Sequence, residues 1–244
     1  MNGRLRAFFR LLAVQGAWNY ERMLGVGMGY AAEPLLKDLE SADPTRHAEA
    51  VVRSAEFFNC HPYLAGLALG ATVKAEYESV PGAQIVRLRT ALCSPLGALG
   101  DQFFWSGLLP AMMGAALVAA GLGVGIWGIL VFLVLYNGIR ALTGYWSLTT
   151  GLASGMNVGR IIADSWLPRA VRIGGTAAGF LVGLAIPIVA QWTLRWAGQS
   201  QLLLALGIGA LGVILSNRFR HSVTAVRYGL TLLVLTVLWR WMIS

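Results

Sequence analysis

The polar chemistry of this chain is concentrated in three short clusters. The first, Gln15-Gly16-Ala17-Trp18-Asn19-Tyr20-Glu21-Arg22-Met23, sets a carboxylate, an amide and two aromatic rings within two helical turns. Such a set suits a hexose, whose hydroxyls exchange hydrogen bonds with amide and carboxylate while its apolar ring face stacks on an aromatic side chain. Residue types alone support a second reading equally, in which Glu21 and Arg22 are interfacial charges beside an aromatic belt.

The second cluster is Glu56-Phe57-Phe58-Asn59-Cys60-His61-Pro62-Tyr63. His61 could accept a phosphoryl group or ligate a metal, but no second histidine, cysteine or acid sits at ligand spacing around it. A helix-ending Asn-x-His-Pro turn is the preferred reading. The third is Gly97-Ala98-Leu99-Gly100-Asp101-Gln102-Phe103-Phe104-Trp105, in which an acid opens a long apolar run. Beside a membrane an ionisable group is a functional candidate, and Asp101 could equally cap the helix that follows. Cys60 and Cys93 have neither metal spacing nor the density of a disulfide scaffold and read as free thiols. No metal or cofactor is expected.

The elements that position these clusters belong to a membrane protein. Of 244 residues, 57% are hydrophobic and 12% charged, and the mean hydropathy is +0.64, too apolar for an ordinary soluble domain. The net charge of +8 is unevenly placed: residues 1–101 hold ten basic and ten acidic side chains, whereas residues 102–244 hold nine arginines and only Asp164. Isolated arginines between apolar runs fit the positive-inside pattern of membrane loops and argue against a nucleic-acid partner.

Residues 1–18 read as an uncleaved amphipathic helix, because Arg10 interrupts the apolar run and no small-residue cleavage site follows. Residues 4–37 place Leu5, Phe8, Phe9 and Leu12 on one helical face, with Arg4, Arg6 and Arg10 available for lipid headgroups, so this longer segment is expected to lie in the bilayer interface. Ser41-Ala42-Asp43-Pro44 is a turn, and a helix from about Thr45 carries Arg46, Glu49, Arg53 and Glu56 on its polar face until His61-Pro62 ends it. Residues 63–77 form a further apolar helix, too short to span a bilayer, which must re-enter or be buried by a partner. After Pro81-Gly82 another helix runs into the glycine and proline cluster at 93–101, which argues against regular helix there.

From Gly107 to Tyr136 thirty residues carry no charge, about 45 Å of straight helix against roughly 30 Å of hydrocarbon. The run must tilt, break or fold as a hairpin, and Gly121-Leu122-Gly123-Val124-Gly125 is the place to break it. Gly107, Gly114, Gly121 and Gly128 recur every seven residues on one face, permitting close backbone approach. Residues 173–194 and 196–217 are long enough to span, and 228–239 is a shorter run. Gly175, Gly179 and Gly183 form two GxxxG steps, read first as intramolecular packing and second as a dimer face. Arginine counts place 137–172 and 218–227 in the cytoplasm and the connection near 195–200, with Ser244, outside.

The order and spacing of the three clusters, with Asn137 and Arg140 after a Phe-containing apolar run and Tyr145-Trp146 beyond, resemble the IID component of the mannose/fructose/sorbose phosphotransferase family. The resemblance covers roughly residues 8–155. It implies an all-α, polytopic integral membrane protein of broken and re-entrant helices with amphipathic N-terminal helices, in which 1–100 and 101–244 form one intertwined unit. It also implies a IIC membrane subunit as partner in a trimer of heterodimers, a hexose entering at the IIC/IID contact, and soluble IIA and IIB proteins that relay phosphate through histidines of their own. By position Gln15, Asn19 and Glu21 become sugar contacts and Asp101 a binding or conformational acid. Trp18, Arg22, Asn59, His61, Asn137 and Arg140 become structural motif residues. The implied location is the inner, cytoplasmic membrane of a bacterium, with several passes. The chain departs from the family pattern over Arg169–Gly179, in a shortened loop near Gly198, and in a reduced amino-terminal extension.

Two other functions compete with this transport subunit. One is a IID-like assembly or sensory protein without transport. The other is a membrane-embedded enzyme in which Asp101 and Glu21 form a catalytic pair; no nucleophile paired with a base, phosphate-cradling loop or metal cluster supports it.

Overall fold

The computed structural model describes residues 3–194. The expected spans 196–217 and 228–239, the arginine-rich segment 218–227 and the sidedness that depends on them lie outside the described residues. Within 3–194 the chain is all-α, with no strand and two isolated β-bridges.

The amino-terminal helix α1, Arg4–Leu12, stops earlier than expected. Ala7 and Leu11 are its buried residues, continued by buried Val14 in the turn that follows; Phe8 packs edge-on against Tyr145, and Leu5, Phe9 and Leu12 stay exposed. A chain of turns leads into α2, Gly25–Ala42. Pro34 inside α2 cannot donate to the Tyr30 carbonyl four residues back, and Arg10 donates to that carbonyl instead (2.8 Å) while pairing with Glu33.

Asp43 caps α3, Pro44–Ser54, by accepting from the Arg46 N–H (3.0 Å). The helix ends at Ser54, seven residues before His61-Pro62. That dipeptide opens the next element: Pro62, whose lack of an N–H costs nothing at a helix start, begins a 3-10 turn, Pro62–Leu64, that leads into α4. The polar face of α3 does not look into water. Arg46 and Arg53, seven residues apart and so on one face, converge on Glu76 of α4 at 2.9 Å each, and Glu76 is 2% exposed.

The centre of the fold is α4, Ala65–Tyr77. Eleven of its thirteen residues are buried, and it is covered by its own chain rather than by a partner. Its main contact is the long helix α7, Ile126–Ser154, which runs parallel to it. Gly66 and Gly70 present a smooth groove: a Cβ at Gly66 would meet the Leu148 nitrogen at 2.7 Å, and one at Gly70 the Leu148 carbonyl oxygen at 2.6 Å. This is the small-xxx-small packing that lets two backbones touch.

The next helix, α5, Gly82–Gly100, passes through Pro95 and the glycines without a break, contrary to the expectation of irregular structure there. The departure from α geometry comes just after, as a π-helical segment over Asp101–Leu108 that continues into α6, Leu109–Gly121. Pro110 supplies a cause, since its ring excludes the Ser106 carbonyl from an ordinary i→i−4 bond and the helix widens. Asp101 therefore caps nothing; it sits inside a continuous helix.

Of the three ways left open for the long apolar run, the chain takes the hairpin. The α6 helix ends at Gly121 and α7 starts at Ile126, and Gly123 (φ 84°) and Gly125 (φ 61°) take the left-handed backbone that turns the chain. After α7 come a 3-10 turn at Gly155–Asn157, α8 at Val158–Asp164, and α9 at Leu167–Leu194. The first three glycines of the seven-residue stripe face α9, whereas Gly128, which was expected on the same face, lies beyond the hairpin in α7 and packs on Ala119 of α6. A Cβ at Gly107 would meet Gly174 at 3.1 Å and one at Gly114 the Leu181 carbonyl carbon at 2.7 Å, while Gly121 abuts Ile188, so α6 and α9 run parallel in constant register. Gly175, Gly179 and Gly183 lie on another face, where no described atom comes within 4 Å of a built Cβ. Two helical stretches, Gly82–Gly121 and Ile126–Val189, are long and apolar enough to cross a membrane, and little of either is buried in the chain. Exposed side chains such as Leu122, Trp127, Val134, Ile173 and Phe180 need an apolar surround.

Candidate functional site

The first cluster is a turn-rich loop rather than a helix, and Asn19 organises it. Its Oδ1 accepts from the N–H groups of Glu21 (3.1 Å) and Arg22 (2.8 Å), and its Nδ2 donates to the Ala17 carbonyl (3.2 Å). This Asx-type arrangement engages the carboxamide internally. Gln15, Trp18, Tyr20, Glu21 and Arg22 are exposed around it, with the Trp18 and Tyr20 rings edge to face at 4.8 Å.

The loop is pinned to the second cluster by backbone pairing. Met23, at φ 52°, bridges to Phe58; the Leu24 N–H donates to the Phe58 carbonyl (2.9 Å), and the Phe58 N–H donates to the Arg22 carbonyl (3.3 Å). Arg89 of α5 holds the same strip, donating to the Glu56 carbonyl (3.0 Å) with its guanidinium over the Phe58 ring (5.0 Å). Asn59 is exposed beside it.

His61 ties the second cluster to the third. It abuts Gly100, and its ring stacks on Phe104 at 4.9 Å and 8°, with Tyr63 edge-on to both. The His61 Nδ1 accepts from the Tyr63 N–H (3.3 Å). Burial, reinforced by the Arg140 charge, lowers its pKa to about 4, so the ring is neutral at physiological pH and poorly suited to hold charge. Burial also pushes the Cys60 thiol well up, which keeps it protonated and unreactive. The exposed Asp101 follows Gly100 directly. Asn137 and Arg140 join through Tyr63: the Arg140 guanidinium lies over the Tyr63 ring (4.5 Å) and donates to Asn137 Oδ1 (2.9 Å).

The three clusters and the Asn137–Arg140 pair are thus linked by direct contacts around Phe58, His61 and Tyr63. Gln15, Glu21, Asn59 and Asp101 offer exposed polar groups on this linked framework, whereas Asn19, His61 and Arg140 hold it together. Among the described residues no group of three or more metal-type ligands occurs. Sequence reading missed Glu76 and the burial of Arg89. The first had a signal, in two arginines at helical spacing on α3 that needed a counter-charge.

A family model for the PTS system mannose/fructose/sorbose family IID component matches residues 2–243. The chain belongs to this family. Over 193 residues it is 28% identical to the mannose-specific EIID component of Escherichia coli (strain K12), covering 76% of this chain and 66% of that relative. It is 31% identical over 193 residues to the fructose permease IID component of Bacillus subtilis (strain 168), covering 76% and 68%. This IID component therefore spans just under two thirds of the length of its mannose-specific relative. A chain in the cryoEM structure of the mannose transporter ManYZ with microcin E492 superposes with TM-score 0.58 at 21% identity, covering 89% of this chain and 96% of that one. A chain described as a membrane protein superposes with TM-score 0.63 at 21% identity, covering 89% and 97%. These two likenesses establish a shared fold for this all-α membrane IID component.

Proposed function

We propose that this IID component pairs with a IIC membrane subunit to carry a hexose across the inner membrane of a bacterium, delivering it to a IIB protein for phosphorylation. Phosphoryl transfer belongs to the soluble IIA and IIB partners, and this chain contributes sugar contacts and the moving membrane framework. In the assembly, a trimer of heterodimers, residues 1–100 supply the amphipathic and buried helices around the site and 101–244 the membrane-embedded part.

The observation that carries this reading is the linkage of three separate polar clusters into one framework, through Met23–Phe58 and His61–Phe104, beside an exposed apolar hairpin. Exposed Gln15, Glu21 and Asp101 on a rigid support are what a site for a neutral polyol needs: acceptors and donors for hydroxyls, held by side chains whose own bonds are already made. Exposed Trp18 and Tyr20 offer ring faces for stacking.

The test is co-expression with a IIC subunit of the same family from the same organism, followed by binding of a panel of labelled hexoses to the purified pair. Saturable binding of one or two hexoses by the pair, absent from either chain alone, is expected. A pair that forms but binds no hexose points to an assembly or sensory role, and absence of any pair overturns the reading.

A further inference from the structure

Arg140 carries a charge that no described residue neutralises. It sits in the apolar stretch Ile126–Val189, fourteen residues beyond Ile126, or about 21 Å along α7. A guanidinium set among apolar side chains and aromatic rings needs a counter-anion or an escape to water or headgroups. It does not reach outward. The group folds back over the Tyr63 and Tyr136 rings, at 4.5 and 6.0 Å, and donates to Asn137 Oδ1, while its Nε is buried with no acceptor.

No ion pair forms to Arg140 among the described residues. The rest of the chain has no acidic side chain to offer: Asp164 is the last Asp or Glu of the sequence and lies beside Arg160 (3.8 Å). Asp101 is exposed and pairs with nothing among the described residues. The other buried side-chain atoms left without partners in the described residues, His61 Nε2 and Arg89 Nη1, are donors as well, since the His61 Nδ1 already accepts. Every buried side-chain atom left without a partner among the described residues is therefore a donor.

The surroundings say how the missing anion arrives. Asn137 is exposed, and on its own face of α7 the side chains of Leu130, Leu133 and Val134, one to two turns back, form an exposed apolar surface. That is a helix-docking face with one polar point in it. Resting on the pairing proposed above, we propose that the Asn137–Arg140 corner of α7 receives a carboxylate carried on a membrane helix of the IIC subunit. The Asn137 amide orients the guanidinium, and the carboxylate neutralises it in a low-dielectric contact where charge complementarity fixes register.

The co-expressed pair tests this with two variants. Arg140→Lys keeps the charge and supplies an amine, so a zero-length carbodiimide is expected to join position 140 to an Asp or Glu of the IIC chain, read by peptide mass spectrometry. Arg140→Gln is expected to weaken the pair at least about tenfold in detergent. If the unmodified chains pair normally, Arg140→Gln pairs equally well and no cross-link forms, the docking point is overturned while the pairing stands. An Arg140→Gln pair that stays intact but loses bound phosphatidylglycerol in native mass spectrometry makes a lipid phosphate the counter-anion and also overturns it. Failure of the unmodified chains to pair removes both proposals.

Discussion

His61 and Phe104 stack nearly parallel, centroids 4.9 Å apart and planes 8° from each other, and this contact joins two clusters whose contacting residues lie 43 positions apart in sequence. It also makes folding stability depend on pH. In the unfolded chain His61 binds a proton near pH 6.5, whereas in the fold it resists one until about 4. Between those values the unfolded state binds more protons, so the contribution is fully present above pH 6.5 and is lost as pH falls toward 4. In detergent, the thermal midpoint of the parent protein is expected to drop more steeply over pH 6.5 to 4 than that of His61→Gln. Parallel pH curves would show that His61 is not held neutral by the fold.

The α4–α7 groove predicts a sharp contrast between glycines. At Gly70 a methyl group meets backbone atoms of Leu148 and Leu152, which cannot swing away, so Gly70→Ala is expected to destabilise by about 1–3 kcal/mol. Gly175→Ala, with no described atom within 4 Å, is expected to change stability by less than about 0.5 kcal/mol. Chemical denaturation of both variants in the same detergent measures the difference.

Glu76 is the buried anchor of two arginines. Truncating it leaves Arg46 with only the Glu76 and Val80 carbonyls and Arg53 with only the exposed Glu49, so Glu76→Ala is expected to cost about 3 kcal/mol. In a double-mutant cycle, Arg53→Ala added to Glu76→Ala should cost much less than Arg53→Ala alone, because the bidentate contact at 2.9 and 3.0 Å is already gone. Strict additivity would mean that the pair is not coupled.

What the sequence made legible follows from the nature of each signal. Long charge-free runs and the 121–125 glycines are local and strong, and they placed the hairpin correctly. The heptad glycine stripe announced close approach, and α9 is what approaches Gly107, Gly114 and Gly121, while the turn after Gly121 takes Gly128 to α7, where it meets α6. The 93–101 cluster misled because proline and glycine lower helix propensity but do not forbid helix, and packing of Gly100 against His61 rewards the helical path. Polar faces misled for a related reason: Arg46 and Arg53 look solvated until Glu76, distant in sequence, is brought to them. Asn19 reads as a free amide in sequence, and only the folded loop reveals that its hydrogen bonds are taken.

The Asn19 turn gives a separable prediction. Asn19→Ala removes the acceptor of the Glu21 and Arg22 N–H groups and is expected to speed hydrogen exchange at both amides. Asn19→Asp keeps an acceptor oxygen and should restore protection. If hexose binding follows exchange protection across the two variants, Asn19 acts by holding the loop; binding lost in Asn19→Asp with the loop still protected would make its amide nitrogen a sugar contact.

The most direct test of the account is hexose binding by the purified IIC/IID pair in parent and Glu21→Gln forms. Glu21 is exposed and its backbone is held by Asn19, so the substitution leaves the fold and the pairing intact. Loss of saturable hexose binding with an unchanged yield of the pair is the predicted result. Unchanged affinity in Glu21→Gln would contradict the placement of the sugar at this loop.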